Sequence, residues 1–184
     1  MEVLDIKTFM KKLTILLFIT TIMMIGIFRV SGIDLFKTLA ITLAITFYHF
    51  AMRLFIGFIY QAKFNNNISW KNKWFQVHKK EMELYRCINV KSWKKYMPTY
   101  DSSCFDVKTK SLEQIVMAMC QAELVHETII VFLFLPIIVS VWFGAIGVFI
   151  STSMVAALID LIFVILQRYN RPRVIKILQL RTQK

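Results

Sequence analysis

The chain has 184 residues, is 57% hydrophobic and has a mean hydropathy of +0.58, which is too apolar for a water-soluble fold of that length. We therefore predict a single integral membrane domain over residues 1–184. The net charge of +12 would suit nucleic acid, but the basic residues lie in segments that flank apolar runs. Because the anionic cytoplasmic leaflet attracts such segments, we expect membrane lipid as a partner and no nucleic acid.

Two apolar runs near the N-terminus predict a helical hairpin. A transmembrane helix needs roughly 20 mostly apolar residues to cross a hydrocarbon core of about 30 Å. The first run predicts such a helix at about residues 13–30, and the second predicts one at about residues 35–60. Gly32 and Asp34 lie between them and favour a tight turn.

A long uncharged stretch in the second half predicts two further spans. Residues 128–159 carry no charge, and as one helix they would be about 50 Å long, which is too long for one span. We therefore predict a break at about residues 140–147, with transmembrane helices at about 112–139 and 146–167. Pro136 should kink the earlier one, because it removes an intrahelical hydrogen bond.

The segments outside these spans are basic and partly amphipathic. Residues 61–110 hold eleven Lys or Arg against four acids and interleave aromatic residues with lysines, a pattern typical of segments that lie in the membrane interface. Residues 171–182 predict a short surface helix, with Asn170 as its N-cap and Pro172 in its first turn. The positive-inside rule then places both termini and the large loop in the cytoplasm, in a multi-pass protein of the cell membrane. The predicted fold class is an all-α integral membrane protein with about four transmembrane helices and interfacial amphipathic helices on the cytoplasmic side.

Several ionisable residues fall inside the predicted spans, where each costs a few kcal/mol and usually marks function. They are His49 and Arg53 in the second helix, Glu123, His126 and Glu127 in the third, and Asp160 in the fourth. In the predicted topology all six lie in the cytoplasmic half of the membrane. Residues from separate helices therefore converge at one depth.

Glu123 and His126 are three residues apart and share one helix face. A carboxylate bonded to one ring nitrogen raises the basicity of the other, so we predict His126, oriented by Glu123, as a general base for an alcohol. The alternative is a buried polar pair that only locks helix packing. Supporting roles at the same level are predicted for Glu127, Asp160, His49 and Arg53, although an arginine near a helix end can also snorkel to the head groups.

Neither the histidines nor the cysteines have the spacing of a metal site, so we predict no metal and no bound cofactor. Cys87, Cys104 and Cys120 also lack the pattern of a disulfide framework, and we expect them to be reduced thiols.

A polar cluster, ILQRYNRPR at residues 165–173, follows the last predicted span directly. An arginine stop signal at the membrane surface would explain one or two of these residues. Arginine forks also suit a phosphate, a carboxylate or an oxyanion, so we predict that the cluster binds a head group or the substrate. The predicted substrate-binding residues here are Gln167, Arg168, Tyr169, Asn170, Arg171 and Arg173.

Four motifs occur in one order along the chain: NKWF at 72–75, WKKYMP at 93–98, QAELVHE at 121–127 and QRYNRPR at 167–173. Their combination, over about residues 68–180, resembles the glycosyl-4,4'-diaponeurosporenoate acyltransferase family. The chain departs from the pattern of many relatives in the surroundings of these motifs, for example at Glu127, where relatives have a tryptophan.

The resemblance implies transfer of a fatty acyl group to the sugar hydroxyl of a glycosylated carotenoid carboxylate, as in the last step of staphyloxanthin formation. It implies a glycolipid or glycosylated carotenoid as acceptor and an acyl donor such as acyl-CoA or acyl carrier protein as co-substrate. It also adds Trp93 and Lys94 to the substrate-binding residues. The alternatives are a non-catalytic membrane protein for lipid binding or assembly, which would use the same polar network for helix packing, and a lipid-modifying transferase with another donor.

Overall fold

A computed structural model of the protein describes residues 6–93, 95–97, 100–144 and 146–182. Within these ranges there is no strand, and four helical segments are long and apolar enough to cross a membrane, which confirms the predicted all-α membrane fold class. The α-helices are α1 (Ile6–Ser31), α2 (Asp34–Phe64), α3 (Lys79–Cys87), α4 (Val90–Trp93), α5 (Leu112–Phe132), α6 (Leu135–Phe143) and α7 (Ile146–Thr182), and short 3-10 helices occupy Lys73–Phe75 and Ser102–Phe105.

The helices α1 and α2 are joined by a turn at Gly32. This glycine has φ +67°, a left-handed conformation that costs glycine little. Its amide donates to the carbonyl of Phe28 at 2.9 Å, which satisfies one of the orphan acceptors at the end of α1. Asp34 in the first turn of α2 places a negative charge at the positive end of the helix dipole.

The third membrane segment, Leu112–Phe143, is interrupted between α5 and α6. Pro136 lies in the first turn of α6, where its missing amide hydrogen costs no helical hydrogen bond. The sequence predicts a kink at this proline, and the structure instead ends one helix and begins another. The segment then ends at Gly144, which has φ +71° and donates to the Ser140 carbonyl at 2.9 Å.

The helix α7 is continuous, so the prediction of a separate surface helix at 171–182 is wrong. Asn170 does not cap a new helix, because its side-chain amide donates to the Leu166 carbonyl at 2.9 Å, one turn earlier in the same helix. Pro172 lies inside α7 and removes only the amide that would bond to the carbonyl four residues before it. Tertiary packing decides the outcome: Tyr169 and Arg171, immediately before this proline, are both buried.

The chain forms two compact units, and the first combines Met1–Gly57 with Ile129–Ile159. In this unit, side chains satisfy carbonyls that the interruption between α5 and α6 leaves without helical partners. The Tyr48 hydroxyl donates to the Phe132 carbonyl at 2.8 Å, and the Ser153 hydroxyl donates to the Leu133 carbonyl at 2.7 Å. Each contact removes a penalty that an unsatisfied carbonyl would incur in lipid.

The second unit combines Phe58–Thr128 with Asp160–Lys184. Its chain leaves α2 through Asn65 and Asn66, which adopt positive φ angles of 46° and 58°, a region in which asparagine is enriched. The backbone N–H of Asn66 donates to Gln121 Oε1 on α5 at 2.7 Å. A hydrophobic cluster then packs α3 and α4 against α7, and its buried members are Tyr85, Val90, Leu166 and Tyr169.

Candidate functional site

His126 on α5 pairs with Asp160 on α7, and both belong to the second unit. The distance from His126 Nδ1 to Asp160 Oδ1 is 2.8 Å, and Asp160 is only 1% exposed. The imidazole also stacks on Phe163, with ring centroids 4.7 Å apart and planes inclined by 9°. The carboxylate that orients His126 is therefore Asp160, and the prediction that Glu123 does so is wrong.

This pair has the geometry of an oriented base. An ionised carboxylate can only accept, so the hydrogen bond to Asp160 places the proton of a neutral imidazole on Nδ1. The lone pair of Nε2 is then available to take a proton, and the nearby negative charge stabilises the imidazolium that forms. The imidazole is partly accessible, with 23% of the side chain exposed.

Glu123 instead accepts hydrogen bonds from two arginines of α7. Its Oε1 accepts from Arg168 at 2.7 Å, and its Oε2 accepts from Arg171. Neither Glu123 nor Arg171 has any exposed side-chain surface. A fully buried carboxylate is tolerated only when it is paired and hydrogen-bonded, and these two contacts supply that compensation.

Arg168 continues the network to Glu81 on α3. Its Nε lies 2.5 Å from Glu81 Oε1 and its Nη2 lies 3.1 Å from Oε2, so the pair is bidentate. The Tyr85 hydroxyl donates to the same carboxylate at 2.6 Å. Burial raises the pKa of Glu81, but hydrogen bonds from Arg168 and Tyr85 lower it by more, so the net pKa is below its ordinary value. Burial and the bond to Glu81 raise the pKa of Tyr85 to about 12, which keeps it a donor at neutral pH.

The two arginines also hold the backbone of residues 74–76, where the chain leaves the 3-10 helix Lys73–Phe75. Arg168 donates to the carbonyls of Trp74 at 3.3 Å and Gln76 at 3.4 Å, and Arg171 donates to the carbonyl of Phe75 at 2.6 Å. Three consecutive carbonyls thus find their donors in α7. These contacts and the carboxylates occupy the guanidinium nitrogens of Arg168 and Arg171 except Arg171 Nε, which is buried and has no hydrogen-bond partner among the described residues. Both arginines therefore position this segment, and their binding of substrate stays a prediction.

The remaining residues of the polar cluster on α7 make contacts other than those of Arg168 and Arg171. Tyr169 is 3% exposed and belongs to the hydrophobic cluster of the second unit. The Arg173 guanidinium lies 3.9 Å above the Tyr169 ring and donates to its hydroxyl. Asn170 bonds within its own helix. Gln167 is half-buried, and it lies seven residues after Asp160 and therefore on the same face of α7.

Trp93 lies at the edge of the same hydrophobic cluster. With Tyr96, Met97 and Ile162 it lines an apolar cavity of about 220 Å³. Ile162 directly precedes Phe163, the residue that stacks on His126, in α7. Lys94, the other predicted residue of this motif, lies outside the described residues.

Glu127 accepts a hydrogen bond from the indole nitrogen of Trp74 at 2.9 Å. The other two predicted supporting residues, His49 and Arg53, belong to the first unit. There His49 is 4% exposed, and Arg53 donates to the carbonyls of His49 at 2.9 Å and Ala156 at 3.3 Å.

Sequence reasoning missed two contributors to this site. Glu81 is one of only four acids in the basic segment 61–110, and that isolation is the signal that could have identified it as an arginine partner. The carbonyls of residues 74–76 have no such signal, because backbone groups look alike in every sequence.

The model of a family described as glycosyl-4,4'-diaponeurosporenoate acyltransferase matches residues 71–180, which is more than half of the chain. The matched range contains His126, Asp160 and the whole Glu81, Glu123, Arg168 and Arg171 network. No curated protein and no solved structure matches the chain.

Proposed function

The chain belongs to the glycosyl-4,4'-diaponeurosporenoate acyltransferase family, and from that premise we propose that it transfers a fatty acyl group to a hydroxyl of a glycosylated lipid or carotenoid. The observation that carries this proposal is the hydrogen bond between His126 and Asp160. It supplies an oriented base inside the matched range, and attack by a hydroxyl on an acyl donor requires such a base.

The proposed reaction begins when His126 Nε2 takes the proton of the acceptor hydroxyl. The oxygen attacks the carbonyl carbon of the acyl donor, a thioester such as acyl-CoA or an acylated acyl carrier protein, and forms a tetrahedral intermediate. The carbon–sulfur bond then breaks, and the leaving thiolate takes the proton back from the imidazolium. General base catalysis of this kind contributes about 10²- to 10⁴-fold.

Gln167 is the proposed donor to the developing oxyanion. It shares a face of α7 with Asp160, and no residue in the described ranges hydrogen-bonds to its side-chain amide. Removing one such preorganised donor costs about 10²- to 10³-fold in turnover. Arg168 and Arg171 are positioning residues in this proposal. They hold the backbone of residues 74–76 and the carboxylate of Glu123.

The proposed location is the cell membrane, with both termini cytoplasmic. Four apolar helical segments support a multi-pass protein, and the excess of Lys and Arg in residues 61–110 and 168–184 supports the orientation. The site would then meet a cytoplasmic acyl donor at the inner leaflet.

Acyl transfer in membranes that contain His126→Gln, Asp160→Asn or wild type tests this function. The acceptor is a glycosylated carotenoid carboxylate, the donor is a long-chain acyl-CoA or, in a parallel assay, the same acyl group on acyl carrier protein, and the product is measured by mass spectrometry. We expect at least a hundredfold loss for His126→Gln. His78→Gln, which changes an exposed histidine side chain and keeps its backbone, is the matched control. An unchanged rate in His126→Gln would remove this residue from the chemistry, and absence of product with wild type and both donor classes would remove the function.

A further inference from the structure

Trp74 presents an indole that is exposed and yet fixed in orientation. The residue is 60% exposed, but its Nε1 donates to Glu127 Oε2 at 2.9 Å. Its backbone amide donates to Asn72 Oδ1 at 3.0 Å, and its carbonyl accepts from Arg168 at 3.3 Å. A tryptophan that only anchors a segment among lipid head groups needs no fixed ring orientation. The hydrogen bond to Glu127 holds the ring, and the other two contacts hold the backbone that carries it. A flat apolar surface held in this way suits binding of a ligand with a flat apolar face.

Glu127 adds a polar contact beside this surface. It is half-buried and directly follows His126 in α5. One of its carboxylate oxygens takes the indole N–H, whereas Oε1 receives no hydrogen bond from any residue that the structure describes. A carboxylate oxygen in a partly desolvated position is a strong acceptor for a hydroxyl group.

An apolar aromatic face next to a carboxylate matches the chemistry of a sugar ring, which has an apolar C–H face and hydroxyl donors along its edge. Building on the function proposed above, we propose that Trp74 and Glu127 form the subsite for the pyranose ring of the acceptor. The ring packs on the indole, one hydroxyl donates to Glu127 Oε1, and a neighbouring hydroxyl lies at His126. In this proposal Arg168 contributes to acceptor binding, because it holds the backbone carbonyl of Trp74.

The test measures sugar binding without turnover. The protein is placed in lipid nanodiscs, and saturation-transfer NMR records the ring protons of methyl β-D-glucopyranoside and methyl β-D-galactopyranoside, which are water-soluble and do not enter the bilayer. We expect saturation of one face of at least one glycoside in wild type and in His126→Gln. Trp74→Leu should lower it about tenfold or more, and Glu127→Gln should weaken binding about tenfold, because a charge-assisted hydrogen bond is lost. Trp142→Leu, which changes a tryptophan that is 75% exposed on α6, should leave the signal unchanged.

Two further outcomes separate this subsite from the proposed function. If neither glycoside is saturated in wild type, or if Trp74→Leu and Glu127→Gln both bind as wild type does, the subsite is wrong whether or not acyl transfer occurs. If the glycoside signal depends on Trp74 and Glu127 but wild type makes no acylated product, the subsite stands and the acyltransferase function fails. Trp74→Phe serves as the milder variant if Trp74→Leu does not fold. It keeps a smaller aromatic face and loses the N–H donor, so it should lower the glycoside signal by less than Trp74→Leu.

Discussion

Arg171 and Glu123 form an ion pair in which neither side chain is exposed. Removal of one partner of such a pair leaves an uncompensated buried charge, at a cost of about 3–5 kcal/mol. We therefore expect Glu123→Gln to lower the unfolding temperature in detergent by several degrees or to prevent folding. Arg171→Lys keeps the charge but loses the guanidinium fork, so it should lower the unfolding temperature by less. Thermal unfolding followed by size-exclusion chromatography measures this effect. Arg181→Lys, at an exposed position of the same helix, is the matched control, and a Glu123→Gln variant as stable as wild type would contradict the prediction.

Glu81 should make stability depend on pH through its ion pair with Arg168. Because the folded-state pKa of Glu81 lies below its ordinary value of 4.5, its contribution is present above pH 4.5 and is lost as the pH falls through the lower, folded-state pKa. Glu81→Gln should therefore cost about 1–3 kcal/mol at pH 7, and its difference from wild type should shrink below pH 4.5. Denaturation in detergent at pH 7 and at acid pH measures this difference, with Glu83→Gln at an exposed position as the control. A difference in unfolding free energy between Glu81→Gln and wild type that stays the same at both pH values would contradict the prediction.

Gln167→Leu should lower the rate of acyl transfer without unfolding the protein. The substitution keeps the size of the side chain and removes the amide donor proposed to face the oxyanion, so we expect a loss of about 10²- to 10³-fold in kcat with little change in KM. Steady-state kinetics in nanodiscs measures both constants. Gln179→Leu, at an exposed position of α7, should behave as wild type. A normal kcat for Gln167→Leu would assign the oxyanion to another donor.

The three free cysteines should react with iodoacetamide in a defined order. Cys87 is exposed, Cys104 is half-buried and Cys120 is buried. Burial and the charge of Asp101 raise the pKa of the Cys104 thiol, which lowers its reactive thiolate fraction. Mass spectrometry of the protein after timed alkylation should show Cys87 modified first and Cys120 last. Equal rates for Cys87 and Cys104 would contradict this order.

Replacement of Cys120 by alanine should leave acyl transfer unchanged. This thiol has no exposed surface, so a substrate cannot reach it to form an acyl thioester with the protein. An inactive but folded Cys120→Ala variant would instead indicate a covalent acyl-enzyme intermediate.

Sequence and structure agree where the signal is local. The apolar segments that form α1, α2, the α5–α6 pair and α7 follow from composition alone, because a membrane span requires a run of apolar residues that is visible in any sequence. The glycine at residue 32 likewise predicts the turn that it forms. Ionisable residues inside a membrane span cost free energy and usually mark function, and this rule identified Glu123, His126 and Asp160 as candidate site residues.

The amino-acid sequence by itself thus determined the fold class and the set of polar residues within the apolar helical segments. Only the tertiary structure decided their partners: His126 bonds to Asp160 across two helices, although Glu123 is its neighbour by spacing. It also decided that α7 continues through Pro172, where local signals predict a helix end. The physical reason is common to both cases, because a hydrogen bond or a packed face depends on distances between helices, and spacing along one helix does not fix those distances.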